Sequence, residues 1–384
     1  MKQIIKASEI YTPEISRKKH LIIEGNKVES ISNNIKDYNL QEYKLINYSE
    51  YRVLPGLIDI HIHGGAGVGV MDGRLECIKK LSEYAFKSGV TSFLPTTLTT
   101  SKVKLMNVLA IIQYAKGQKY SSNIEGVHLE GPFINEKQAG AQNQNFICTP
   151  KHKYLQELID SYQDLIKVVS IAPEIEKGLD VVDYFARKGI TVSVAHSDAT
   201  FEIMQKAFAK GLDQATHFFN GMRGLHHRYP GVVGAVLNNE ECYCELIADG
   251  IHVHPEVIDL LIKIKGEKKI ILISDSMQAA GLSAGSYALG DDKVTVDETG
   301  KAYLSDGTLA GSTLRLIDAI SNMVQFTHLN FVQALKMATI NPAVKLGLER
   351  KGRLEVGCEA DFIVVNDSLD IIATYKNGNK VYEV

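Results

Sequence analysis

The feature that most constrains the fold is an alternation, along the middle of the chain, between short β-branched runs and stretches with helical spacing. Eight such runs follow one another: LIDIHIH (57–63), VTSFLPTT (90–97), IEGVHLE (124–130), IKVVSIA (166–172), ITVSVAH (190–196), QATHFF (214–219), YCELIA (243–248) and KIILISD (269–275). Helical patterns follow most of them, as in LECIKKLSEYAFKSG after the first, YLQELIDSYQDL after the third and FEIMQKAFAKG after the fifth. Continuous apolar strands alternating with helices imply a parallel sheet covered on both faces. Eight repeats over residues 55–345 predict closure into an α/β barrel of the (β/α)8 TIM type rather than an open sheet. A length of 384 residues suits such a barrel with a satellite domain.

The two ends read differently. Residues 1–54 are short strands with turns, HLIIEGNKVESI being strand, Gly-Asn turn and strand. The tail ADFIVVNDSLDIIATYKNGNKVYEV follows the same pattern, with Asn377-Gly378 as a hairpin turn. Neither end carries enough apolar residues for a core of its own. The expectation is that 1–54 and 346–384 pair into one small, discontinuous β-sandwich domain that brackets the barrel.

The net charge of −3 supplies no field that would attract nucleic acid or an anionic membrane, so neither is expected as a partner. An anionic substrate must then be met by a local basic cluster. The start, MKQIIKASEIYTPEISRKKH, lacks the apolar core of a signal peptide, and no apolar run reaches the ~18 residues of a membrane span. Five scattered cysteines fit a reduced, cytoplasmic protein better than a disulfide framework. Cys242 and Cys244 read as two small buried apolar residues on one strand face, not as a metal site.

In a barrel of this kind active sites gather at the C-terminal ends of the strands. Ligand-type side chains fall there: His61 and His63 end the first run, Glu130 the third, His196 the fifth and Asp275 the eighth, and His217 lies near the end of the sixth. Residues i and i+2 of a strand share a side, so His61 and His63 point together. A single histidine at a strand end is usually a hydrogen-bonded core or surface residue. Five strand ends of eight carrying imidazole or carboxylate are hard to attribute to chance. Imidazole with carboxylate is the ligand chemistry of a borderline divalent ion such as zinc, iron, manganese or cobalt. Six ligands exceed one tetrahedral ion and suit two ions sharing a carboxylate. The glycine-rich GGAGVGV after the first pair leaves an open loop for a substrate. His128, two residues before Glu130, is a candidate supporting residue. His252-Val-His254 precedes a proline and a helix, and His226-His227 lie in a loop, so neither pair is expected to bind metal.

The motifs PGLIDIHIHG (55–64), HLEGPF (128–133), VAHSDAT (194–200), THFFNGM (216–222), ADGIHV (248–253) and AGSTL (310–314) together resemble the N-acetylglucosamine-6-phosphate deacetylases of the amidohydrolase superfamily. The resemblance runs from about residue 50 to the C-terminus, where GRLEVGCEADFIVV (352–365) also fits. It implies hydrolysis of a phosphosugar acetamide, with Glu130, His196 and His217 as principal metal ligands and His61 and His63 as the additional pair of two-metal members. Glu130 would bridge, and Asp275 would be the catalytic aspartate as well as a ligand. Asn220, Gly221 and His252 would bind substrate, and Arg228 would reach the phosphate in the neighbouring subunit of a homodimer. One position departs from the pattern: Gln142 stands where some members have a histidine near the substrate carbonyl. It can donate a hydrogen bond but cannot carry charge. Two other readings stand beside this one: an amidohydrolase acting on a cyclic amide or an N-acyl amino acid, and a non-catalytic scaffold.

Overall fold

The computed structural model describes residues 2–12, 15–16, 19–36, 38–118 and 123–384; residues 1, 13–14, 17–18 and 37 of the N-terminal segment, and 119–122, lie outside it. Each of the eight runs contains a strand: β1 (Leu57–Ile62), β2 (Val90–Pro95), β3 (Val127–Glu130), β4 (Ile166–Ile171), β5 (Thr191–Val194), β6 (Leu212–Ala215), β7 (Tyr243–Leu246) and β8 (Ile270–Leu272). From β3 to β8 they pair in chain order as a parallel sheet, and β1 pairs parallel with β2. Parallel bridges Phe93↔Ile124 and Thr96↔His128 join β2 to β3, and Ile62↔Ser276 joins the end of β1 to the segment after β8. The sheet therefore curls until the end of its first strand reaches the segment that follows its last. Right-handed strand twist favours this once helices cover the outer face.

A helix follows each strand: α1 (Leu75–Lys87), α2 (Lys102–Lys116), α3 (His152–Tyr162), α4 (Gly178–Arg187), α5 (Phe201–Ala209), α6 (Gly231–Leu237), α7 (Pro255–Lys265) and α8 (Leu316–Phe326). Their starts are encoded locally. The Thr200 hydroxyl accepts from the Ile203 amide at the start of α5, and α7 begins with Pro255 at its first turn. On α1 the buried Cys77, Ile78, Leu81 and Ala85 recur at helical spacing and pack inward. Among the described residues no helix is long and apolar enough to cross a membrane.

Strands from both chain ends share a single eight-stranded sheet. Phe362–Val365 pairs antiparallel with Lys44–Pro55, placing Phe362 opposite Pro55 and Val364 opposite Val53. Alternate residues go to different cores. Val53, Phe362 and Val364 join a cluster confined to this sheet, whereas Leu54, Ile363 and Val365 join the large core shared with the helices. At the last hairpin Asn377 and Gly378 have φ 52° and 72°, the left-handed pair that a two-residue turn between twisted strands requires. Buried and half-buried ions sit where this sheet meets the parallel one: the buried Lys376 Nζ lies 2.8 Å from Asp361, and the half-buried Lys351 Nζ lies 2.9 Å from Glu125 and 2.8 Å from Glu359.

Not every element belongs to the eight repeats. Between β8 and α8 the chain forms a three-stranded antiparallel unit, Gly285–Leu289, Asp292–Val296 and Ala302–Tyr303. Lys104 Nζ of α2 lies 2.7 Å from Asp291 Oδ1 at its tip, which holds the neighbouring Leu289 over the C-terminal ends of the strands.

Candidate metal centre

Glu130 is the last residue of β3, His61 lies within β1 and His63 stands one residue past it, but the other three stand further beyond their strands. His196, His217 and Asp275 follow strands that end at Val194, Ala215 and Leu272. Each adopts a left-handed backbone, with φ 45°, 31° and 49°. The placement at strand ends is thus displaced by two or three residues, because the left-handed turn stops ladder pairing and swings the side chain across the mouth. Such a conformation costs a non-glycine residue of order 1–3 kcal/mol and persists only where neighbours hold it. Here the Asp275 amide donates to His61 O at 2.9 Å, Asp275 O accepts from the Ser312 amide at 2.8 Å, and His196 O accepts from the Asn135 amide at 2.9 Å.

The six side chains expected to bind metal meet at one point. Glu130 Oε1 lies 3.0 Å from His196 Nε2 and 3.0 Å from His217 Nε2. Its Oε2 lies 3.2 Å from His63 Nε2 and 3.7 Å from His61 Nε2. Asp275 Oδ1 lies 3.3 Å from His63 Nε2 and 3.5 Å from His61 Nε2. Two ligand sets result, Glu130–His196–His217 and His61–His63–Asp275, with the ligand atoms of each set within 4.8 Å of one another and every residue buried. Glu130 faces both.

Each imidazole is oriented through its other nitrogen. The Nδ1–H of His63 donates to Thr96 O at 3.1 Å, that of His196 to Gln138 O at 2.8 Å, and that of His217 to Asn220 O at 3.2 Å. The Nδ1–H of His61 donates to Glu245 Oε2 at 3.0 Å. With these tautomers all four Nε2 lone pairs face the centre. His61 and His63 then oppose lone pair to lone pair at 3.1 Å, and the buried Glu130 Oε2 has no hydrogen-bond donor. A cation among these atoms removes both conflicts, so the residues fit a divalent metal. Without a cation the cluster takes up protons in its place. Burial pushes the Glu130 carboxyl up, but His196, His217, His61 and His63 outweigh it and hold it well below the usual range. Burial likewise works against Asp275, which His61 and His63 pull down to about 2. For His63 burial lowers the pKa, and Asp275 and Glu130 reverse this to lift it to about 9.

Beneath the ligands lies a polar layer. Burial lowers His128 to about 4, so it is neutral; its Nδ1–H donates to Ile60 O at 3.0 Å and its Nε2 accepts from Ser170 Oγ at 2.7 Å. The hydroxyls of Ser170, Thr216 and Ser193 continue the chain at 2.7 and 2.6 Å. Glu245, which sequence reasoning did not single out, is also here. Its only signal was a carboxylate inside the apolar run YCELIA.

Above the ligands opens a cavity of ≈ 250 Å³. Gln142, Asn220, Gly221 and His252 line it with the metal residues, and Leu98, Leu289 and Leu309 form its apolar side. Gln142 Oε1 accepts from the Thr99 amide at 2.7 Å, which leaves its amide nitrogen for the cavity. His252 Nδ1 lies 2.6 Å from Asp249 Oδ2, so Nε2 is its outward nitrogen. Gly221 has φ 59°, and a Cβ there would stand 2.9 Å from His196 Nδ1. Arg228 does not line this cavity in its own chain. It is exposed, with Nη1 2.7 Å from His227 Nε2. His254 caps α7 by accepting from the Glu256 amide at 3.2 Å, and Cys242 and Cys244 are buried away from the ligand sets.

Comparison with known proteins gives consistent results. Residues 52–381 match the Amidohydrolase family model. The chain is 40% identical over 335 residues to the N-acetylglucosamine-6-phosphate deacetylase of Lysinibacillus sphaericus, covering 85% of this chain and 84% of that one. It is 37% identical to the N-acetylgalactosamine-6-phosphate deacetylase of Escherichia coli O157:H7, covering 84% of this chain and 86% of that one. The crystal structure of N-acetylglucosamine-6-phosphate deacetylase from Thermotoga maritima superposes with a TM-score of 0.89 at 33% identity, covering 99% of this chain and 100% of that one.

The contact between Gly221 and His196 makes a specific prediction. Gly221→Ala should displace the His196 ring and weaken retention of a divalent metal about 10–100-fold, measured as metal content after dialysis against a graded chelator series. Wild-type retention would show that the ring tolerates the extra methyl group.

Proposed function

The chain belongs to the amidohydrolase family, and on that footing we propose that it removes the acetyl group from N-acetylglucosamine 6-phosphate, giving acetate and glucosamine 6-phosphate. The observation that carries this reading is the convergence of four oriented imidazoles and two carboxylates beneath a cavity, in a chain closely similar to enzymes named for that reaction. We take residues 55–345 as a closed (β/α)8 barrel and 1–54 with 346–384 as a small β-domain. The Ile62↔Ser276 bridge and the Phe362↔Pro55 pairing support that division.

We assign two divalent ions per subunit, zinc, iron, manganese or cobalt, to the two ligand sets, with Glu130 shared. A bound divalent ion supplies Lewis acidity, polarising a carbonyl and lowering the pKa of a water it holds to about 7. The protein groups do the rest. The amide nitrogen of Gln142 and Nε2 of His252 orient the acetamide and sugar. Asp275 takes the proton of the attacking water on its carboxylate and delivers it to the departing nitrogen, so that an amine leaves rather than an amide anion. The leucines of the cavity rim exclude bulk water around this transfer.

Phosphate recognition is assigned to Arg228 of a second copy in a homodimer. Its guanidinium matches phosphate in geometry and charge. Support comes from its exposure outside its own cavity, and from the neighbouring exposed apolar residues Leu225 (61%), Leu260 (52%) and Ile264 (48%). The free cysteines Cys77, Cys148, Cys242, Cys244 and Cys358 fit a reducing, cytoplasmic setting. A second substrate, the galactosamine epimer, is favoured by the similarity to the Escherichia coli enzyme.

The deciding assay is acetate release from both N-acetylhexosamine 6-phosphates and from unphosphorylated N-acetylglucosamine, before and after chelation. Turnover of a phosphorylated sugar, lost on chelation and restored by a divalent metal, is expected; none with any metal would overturn the reading. Asp275→Asn should lower kcat by about 10²–10⁴-fold while substrate still binds, and near-normal turnover would remove Asp275 from the proton transfer. Arg228→Ala should raise KM about 10–100-fold for the phosphorylated sugar. An equal rise for the unphosphorylated sugar would argue against a phosphate contact.

A further inference from the structure

We infer that Glu245 is a positioning residue that sets the strength of the His61–His63–Asp275 ion site, and so decides whether a second divalent ion is retained. The inference rests on the two-ion reading above and adds to it a residue outside both ligand sets.

The four ligating imidazoles are not anchored alike. His63, His196 and His217 donate from Nδ1 to backbone carbonyls, which any residue could supply. His61 donates to the Glu245 carboxylate. A charged acceptor polarises the imidazole more strongly than a neutral one and makes its far nitrogen a better metal donor. Glu245 is fully buried, so water does not screen this effect.

The carboxylate is also held in place. Gln214 Nε2 donates to Oε1 at 2.7 Å, and the His217 amide approaches Oε2 at 3.4 Å. Glu245 therefore reaches from β7 to β1 and cannot turn away from His61. A carboxylate taken out of water is costly unless compensated. Among the described residues Glu245 pairs with no lysine or arginine; its ionisable neighbours are His61 at 3.0 Å and His128 at 3.9 Å. The second of these commits Nδ1 to Ile60 O instead. Compensation must then come through the His61 ring, from positive charge on its far side, where His63 and Asp275 lie.

The geometry of His61, His128 and Glu245 superficially resembles an ion site of its own. The hydrogens on His61 Nδ1 and His128 Nδ1 occupy the space an ion would need, so the cluster serves as a support. Its influence falls on one ligand set. His217 meets Glu245 only through its backbone, while the His217 ring is fixed by Asn220 O.

The test is a cobalt titration of the metal-free full chain, followed by visible absorption and by total metal content, for wild type, Glu245→Gln and Glu245→Asp. In E245Q the first equivalent should bind as in wild type and the second about 10–100-fold more weakly. Glu245→Asp keeps the charge with a shorter reach and should fall between. Placed in a His61→Ala background, E245Q should cause no further weakening. Two ions with wild-type affinities in E245Q, or equal weakening of both, would overturn the inference while leaving the two-ion reading intact. A wild-type chain that takes up one ion would overturn that reading, and the inference with it.

Discussion

Everything at the mouth of the parallel sheet turns on one buried carboxylate, Glu130, surrounded by four imidazoles. Its two oxygens lie 3.0 to 3.7 Å from His196, His217, His63 and His61, which arrive from three other strands and the turns beyond them. Burial alone would neutralise such an acid. The surrounding imidazoles keep it ionised, and one oxygen is left without a donor. A cluster of this kind is electrostatically incomplete without a cation, and a cation there is what an amide needs in order to be attacked.

The surrounding structure keeps that cluster from relaxing. Backbone carbonyls and one carboxylate fix the tautomer of each ring. The left-handed turns at His196, His217 and Asp275 place side chains that a regular strand would point elsewhere. Below them, the chain from His128 through Ser170 and Thr216 to Ser193 satisfies the polar floor. Helix caps, core periodicity and the end-strand sheet contribute rigidity, and the insertion tip at Leu289 supplies the apolar wall.

How much could be read in advance differs by residue. The convergence of His61, His63, Glu130, His196, His217 and Asp275 was legible because reactive groups in such sheets are expected at strand C-termini, and each lies at or near the end of a β-branched run. Their offset from the true strand ends was not, since left-handed backbone at a histidine or aspartate leaves no compositional mark. Glu245 was missed because a lone acid in an apolar run has no meaning until its partner, 184 residues away, is known. The hairpin unit 285–303 was missed because its strands are short, and the eight-fold repeat drew attention to β8 and α8 on either side. Arg228 was noticed through a motif, and its distance from its own cavity emerged only from the fold.

The amino-acid order by itself determined the alternation of strand and helix, the turns at Gly25-Asn26 and Asn377-Gly378, and the chemical class of the site. Each depends on local periodicity, backbone preference or side-chain type. Tertiary structure alone decided which atoms meet: the shared position of Glu130 between two ligand sets, the reach of Glu245 across to His61, the merging of both chain ends in one sheet, and the wall that Leu289 adds. Those are distances between residues far apart in the chain, and they are set when the curled sheet brings the end of its first strand to the segment that follows its last.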